Sequence, residues 1–155
     1  MDRFETLRRR RVDAGLVLDA EKSGIHHPDH LWHGPQPVND VAGLAALSQN
    51  ILQPMANSLA GIEQQVDILI AGEFKDSDWT ATCGHYVGDW SQPLFGIAPN
   101  GKEAKLRFGR FERWNGDQIV ETYEIFDLPG MMMQAGGWPG CPGLGKQLDS
   151  PAPAT

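Results

Sequence analysis

FGIAPNGKEAKLRFGRFERWNGDQIVETYEIFDLPGMMMQAGG, residues Phe95 to Gly137, reads as two β-strands joined by a tight turn and closed by an acid. Asn115-Gly116 predicts a type I′ hairpin, because both central residues of that turn need positive φ, which Asn and Gly tolerate. The flanking strands run from about Ala104 to Trp114 and from Gln118 to Asp127. Asp127 follows the hydrophobic run Ile119 to Phe126 and precedes Leu128-Pro129-Gly130. Two readings of it stand side by side. A carboxylate delivered by a rigid strand into apolar surroundings is an acid or base, since desolvation raises its pKa toward working pH. An Asp at such a junction is equally a cap for the Met131–Met133 segment.

Upstream of the hairpin the periodicity is also two. Val66, Ile68 and Ile70 alternate with more polar neighbours up to Gly72, and Trp79, Ala81, Cys83, His85 and Val87 form one face of a further strand opposite Thr80, Thr82 and Tyr86. Earlier still, Val41, Leu44, Leu47, Ile51 and Leu52 recur at helical spacing behind an Asn39/Asp40 cap, with Pro54 expected to kink or end the helix. Pro28, Pro35 and Pro37 bracket Leu31-Trp32-His33, a short extended run expected at a sheet edge. Residues 1 to about 20 carry Phe4 and Leu7 on one side of an N-terminal helix weakened at Gly15. Helices first and a strand meander after predict an α+β fold whose helices cover one face of an antiparallel sheet.

The 155 residues suit one domain with a sizeable core. Their 41% apolar content, five Trp and six Phe leave room for an aromatic pocket. A net charge of -7 repels phosphate backbones and argues against nucleic acid as a partner. No stretch approaches the ~20 apolar residues of a membrane span, and MDRFETLRRRR lacks a secretory core, so the expectation is a cytoplasmic protein with no membrane partner. Arg8 to Arg11 read as a solvated helix face. Cys83 and Cys141 match no metal spacing and are taken as reduced thiols, Cys83 as a small apolar residue. His26, His27, His30 and His33 invite a metal, but Pro28 interrupts them, so no metal ligands are assigned. From Gly136 the chain turns Gly/Pro-rich, giving a domain over residues 1–137 and a tail or linker over 138–155.

Four segments in order carry a resemblance. Phe95-Gly96-Ile97-Ala98-Pro99-Asn100-Gly101-Lys102, the Phe111 to Glu121 hairpin, the closing Asp127-Leu128 with Met132-Met133-Gln134-Ala135-Gly136, and the His27 to His33 run together resemble the SnoaL-like polyketide cyclase and ester cyclase family. The resemblance implies a fold like nuclear transport factor 2, a cone of curved antiparallel sheet and helices around an apolar pocket, dimeric through its sheet. It further implies that Asp127 is a general acid/base in an intramolecular aldol closure needing no cofactor. This chain departs from the pattern at Glu121-Thr122-Tyr123, where relatives carry a histidine in the place of Thr122. His85 is the candidate stand-in. Ketosteroid isomerases share the fold, but their base and oxyanion acid would fall near Gly34 and Arg110, which cannot fill those roles.

The candidate catalytic residues are therefore Asp127 and His85, and the candidate ligand-binding residues Trp32, His33, Tyr86, Tyr123 and Met132. Tyr123 shares a strand face with Asp127 by the period of two. Each also has a structural reading: Tyr123 as a core residue, His85 as a half-buried strand histidine, the Met run as ordinary packing. Two functions follow. One is a homodimeric cyclase-like lyase or isomerase acting on a small hydrophobic carbonyl compound; the other is a non-catalytic ligand-binding or dimerisation module of the same fold.

Overall fold

The computed structural model describes residues 2–137, so the 138–155 tail, with Trp138 and Cys141, lies outside the described residues. The α+β expectation holds. Six strands form one sheet: β1 (His26–His33), β2 (Asp40–Ala42), β3 (Leu59–Phe74), β4 (Ser77–Trp90), β5 (Glu103–Asn115) and β6 (Gln118–Phe126), in the order β2-β1-β6-β5-β4-β3. Every pairing is antiparallel except β1 with β6.

Several local expectations are corrected. β1 is internal, between β2 and β6, and it tolerates Pro28 because the β1–β6 register breaks between His26 and Leu31, where no ladder bond is asked of it. Asp40 opens strand β2 and not a helix: Val41 pairs with Trp32, and the helix starts after Gly43, whose φ of 86° turns the chain. Asn115 pairs with Gln118, so the hairpin loop is Gly116-Asp117, and positive φ at Gly116 alone is the pattern of a type II′ turn. The type I′ pattern, with two successive positive φ, belongs instead to Lys75-Asp76 between β3 and β4.

Five helices complete the cone. α1 (Arg3–Ala14) is capped by Asp2, whose side chain accepts from Phe4 N–H, and ends at Gly15; α2 (Ala20–Ser23) is capped by Asp19. α3 (Leu44–Leu47) passes through a π-helical turn at Ser48–Leu52 into α4 (Gln53–Ser58). Pro54 sits in the first turn of α4, where the π turn frees it from a missing N–H bond, so the helix runs on to Ser58. α5 (Leu128–Gln134) packs Leu128 and Met131 into the main core.

The inward face of β5 shows how the core is layered. In sequence order it reads Ala104, Leu106, Phe108, Arg110, Glu112, Trp114, all buried. Ala104, Leu106 and Phe108 belong to the main apolar cluster with Trp32, Ile51, Trp90, Leu94 and Phe126, whereas Trp114 joins Leu7, Ile25 and Ile119 at the other end. A charged layer lies between two apolar ones. The opposite parity of the sheet is apolar yet exposed: Ile70, Phe74, Phe111 and Ile125 are 54–69% accessible, and Cys83 is exposed there, not a packed apolar residue.

Candidate active site

Each buried polar group is placed by strand parity. Thr122 and Glu124 on β6, Arg110 and Glu112 on β5, Thr82 and Tyr86 on β4, and His26, His30 and Trp32 on β1 all point into the cone. α1 adds Arg11, which the sequence placed in a solvated run; it is 5% exposed, with its Nε donating to Glu112 Oε1 at 2.7 Å. Arg8 and Arg9 instead bind Glu5 on the surface.

The centre of the cluster is Glu124. Its Oε2 accepts from the Tyr86 hydroxyl at 2.8 Å and its Oε1 from Trp32 Nε1 at 3.3 Å. Arg110 Nη1 donates to Tyr86 Oη at 3.0 Å and stands 3.8 Å from Glu124 Oε2. Burial pushes the Glu124 carboxyl above the usual carboxylate range, a push that Arg110, Tyr86 and Trp32 only partly oppose. Glu112 is the contrast. Burial would raise it too, but Arg110 and Arg11 hold it down to about 2. Tyr86 is raised well above its ordinary value, by burial first and then by the Glu124 charge, so its hydroxyl remains a donor. Two carboxyls in one chamber thus have their pKa values driven apart.

These residues enclose a cavity of about 40 Å³, lined also by Leu16, Leu47 and Met55. By the room one water needs, roughly 10–15 Å³ on the same measure, this admits about three waters or the tip of a ligand. Arg11, Leu16 and Arg110 also line an outer cleft of about 700 Å³ between α1 and β3, walled by Val12, Ile62, Val66 and Leu69. A small chamber thus sits beside a larger cleft of mixed lining, to which Arg8, Glu63, Gln64 and Thr82 also contribute.

Of the residues expected from sequence, Trp32 and Tyr86 line the chamber. The expectation of a buried Asp127 is corrected. It is exposed, its Oδ1 accepts from Gly130 N–H at 2.9 Å, and it caps α5. His85 points to the outer face, 3.4 Å from Asp67 Oδ2, because its parity is opposite to that of Tyr86. Tyr123 and His33 stack on one another on that same outer face, with ring centroids 4.5 Å apart, and neither reaches the chamber. Met132 is half-buried against the main core. An imidazole does stand beside Thr122 across the parallel pair, where His30 Nε2 shares a hydrogen bond of 2.8 Å with Thr122 Oγ1. Among the described residues no group of three or more His, Cys, Asp or Glu is arranged to hold a metal ion.

No protein-family model and no curated protein matches the sequence. Solved structures do. AclR, a candidate hydroxylase from Streptomyces galilaeus, superposes with a TM-score of 0.68 at 14% identity over 88% of this chain and 89% of its own. A candidate SnoaL-like polyketide cyclase from Jannaschia sp. CCS1 gives 0.67 at 14% identity over 90% and 98%. IdmH, a candidate polyketide cyclase from Streptomyces antibioticus, gives 0.64 at 17% identity over 83% and 96%. The chain has the α+β cone fold of these SnoaL-like structures.

Within this SnoaL-like cone the residues that sequence reasoning passed over are Glu124, Arg110, Glu112, Arg11, His26 and His30. One signal for them was present: Arg110 and Glu112 on β5 share the parity of Leu106, Phe108 and Trp114, and Glu124 on β6 shares that of Phe126 and of Thr122, already noted as the departure from the family pattern. In the SnoaL-like cone that parity faces inward.

Proposed function

We propose that the protein binds a small hydrophobic carbonyl compound in the α1–β3 cleft and moves a proton on it with Glu124, in an intramolecular aldol-type cyclisation or a related acid/base reaction. The observation that carries this reading is the buried Glu124 carboxyl, raised in pKa and held by Tyr86 and Trp32 beside the cleft. A buried charge cluster contributes little net stability, because desolvating each ion costs several kcal/mol that pairing hardly recovers. Its presence supports a chemical use.

In the proposed reaction, ionised Glu124 removes a proton from the carbon next to the ligand's carbonyl. The Tyr86 hydroxyl turns from Glu124 to the carbonyl oxygen as that oxygen gains charge, and the Arg110 N–H behind it makes it a stronger donor. The resulting carbanion bonds to the carbon of a second carbonyl in the same molecule. Glu124 returns its proton to the alkoxide so formed, and the enzyme ends as it began.

The test is turnover of diketones able to close a ring, compared among wild type, Glu124→Gln and Asp127→Asn. Loss of general acid/base catalysis lowers kcat by about 100-fold or more in Glu124→Gln. Asp127→Asn, altering only a helix cap, stays within about threefold. Should the losses be reversed, the acid/base role returns to Asp127.

A binding module without catalysis is the second reading, favoured by the small chamber, where Tyr86, Trp32 and Arg110 already satisfy Glu124. Ligand-induced thermal stabilisation with no turnover in any variant would establish it. For either reading we propose a homodimer packed through the exposed apolar face around Ile70, Phe74 and Phe111.

A further inference from the structure

We infer that the ligand of the α1–β3 cleft is a hydrophobic carboxylate, its carboxylate received by Arg110 and Thr82. The inference rests on the reading of this cleft as the ligand site.

Arg110 is 7% exposed, and its Nη2 has no hydrogen-bond partner. Its Nε has no aligned partner either; the Glu112 oxygen lies 3.1 Å away but off the N–H direction. These two nitrogens form one edge of the guanidinium fork, the edge that grips a carboxylate side-on through parallel N–H groups. Thr82, 2% exposed, is the direct cross-strand partner of Arg110, and its Oγ1 also lacks a partner. Directly opposed residues on one sheet face have Cβ atoms about 5 Å apart. Arg110 Nη2 and Thr82 Oγ1 therefore lack hydrogen-bond partners on paired residues that line the cleft, and Arg110 Nε has only the ion pair with Glu112.

Charge points the same way. Two buried guanidiniums, Arg11 and Arg110, face two carboxyls. Glu112 Oε1 is shared by both guanidiniums, 2.7 Å from Arg11 Nε and 3.1 Å from Arg110 Nε, and Glu124 stands no nearer to Arg110 than 3.8 Å. Water or a neutral carbonyl can accept a hydrogen bond from Arg110 but cannot neutralise it. A carboxylate does both. Val12, Leu16, Ile62, Val66 and Leu69 along the cleft favour an apolar body for the ligand, with Arg8, Glu63 and Gln64 forming the polar part of the wall.

The test uses the full chain and a panel of aryl- and alkyl-carboxylates of about four to ten carbons, each beside its primary amide, a size matched to a cleft of this class. Binding is measured by titration calorimetry near neutral pH. At least one carboxylate is expected to bind about tenfold tighter than its amide. Thr82→Val should cut that preference to about threefold, since the carboxylate loses a charge-assisted hydrogen bond where the amide loses only a neutral one. Arg110→Gln should abolish it; that variant leaves the Arg11–Glu112 pair intact and neutral, so a folded protein is expected. If Arg110→Gln fails to fold, wild type and Thr82→Val decide. Amides binding as tightly as acids, a preference surviving in both variants, or no panel member binding below about 1 mM overturns the inference. None of these outcomes touches the Glu124 reading, which is decided by turnover.

Discussion

Acidification from about pH 7.5 to about pH 5 is expected to remove about 4 kcal/mol of stability through two buried histidines. His26 and His30 are 8% and 0% exposed on β1, their ring centroids are 4.8 Å apart, and neither Nδ1 has a partner. Burial is the main cause that lowers both. His26 feels Arg11 and Arg110 against the opposing pull of Glu112, and falls from 6.5 to about 4. His30 feels His26 and His33 against Glu112 and Glu121, and falls from 6.5 to about 3. The unfolded chain therefore takes up two protons below 6.5 that the folded protein refuses, so the stability is complete above 6.5 and is lost as pH falls. By about pH 5 each histidine has cost about 2 kcal/mol. Glu112, held near 2, adds its own loss only below about pH 4.5, whereas Glu124, raised when folded, offsets part of the total on acidification. Urea unfolding at a series of pH values measures the slope, and the His26→Gln/His30→Gln variant isolates the histidines. A wild-type loss under about 1 kcal/mol, or an equal loss in the double variant, would refute the reasoning.

Three further outcomes are expected. Trp32→Phe removes an N–H that favours ionised Glu124, so the low-pH limb of the rate profile should move to higher pH while the maximal rate changes less. Asp127→Ala should cost about 1 kcal/mol in thermal or urea unfolding, the value of a helix cap, and leave ligand titrations unchanged; a binding defect would restore Asp127 to the site. Phe111→Glu places a charge in the exposed apolar face and should convert a dimer into a monomer in light scattering, with no effect if the protein associates elsewhere.

The strands and their hairpins were legible because a period of two survives any packing, and the Phe95–Gly137 stretch showed it plainly. Misreadings arose where one local signal served two structures. Asn39-Asp40 looks like a helix cap yet introduces β2, since only pairing with Trp32 and His33 decides between them. Pro28 argues for an edge strand unless a register break excuses it from the ladder, as happens here. Asp127 showed both of its readings in sequence, and burial, which distinguishes them, is a property of the whole cone.

The same limit applied to the charged residues. Alternation along β5 and β6 fixed that Arg110, Glu112, Thr122 and Glu124 share a side while Phe111, Tyr123 and Ile125 share the other. On β6 the usual preference for apolar residues inside would have sent Thr122 and Glu124 to solvent, whereas on β5 Arg110 and Glu112 share the parity of Leu106, Phe108 and Trp114. Sequence by itself determined the α+β class, the strand parity and the membership of each face, because those depend on neighbours along the chain. Tertiary structure decided which face turned inward and thereby which acid is buried. The curvature of the sheet and the cover of α1 bring Arg11 and Arg110 onto Glu112 and place Tyr86 and Trp32 on Glu124, and desolvation at that point comes from elements remote in sequence.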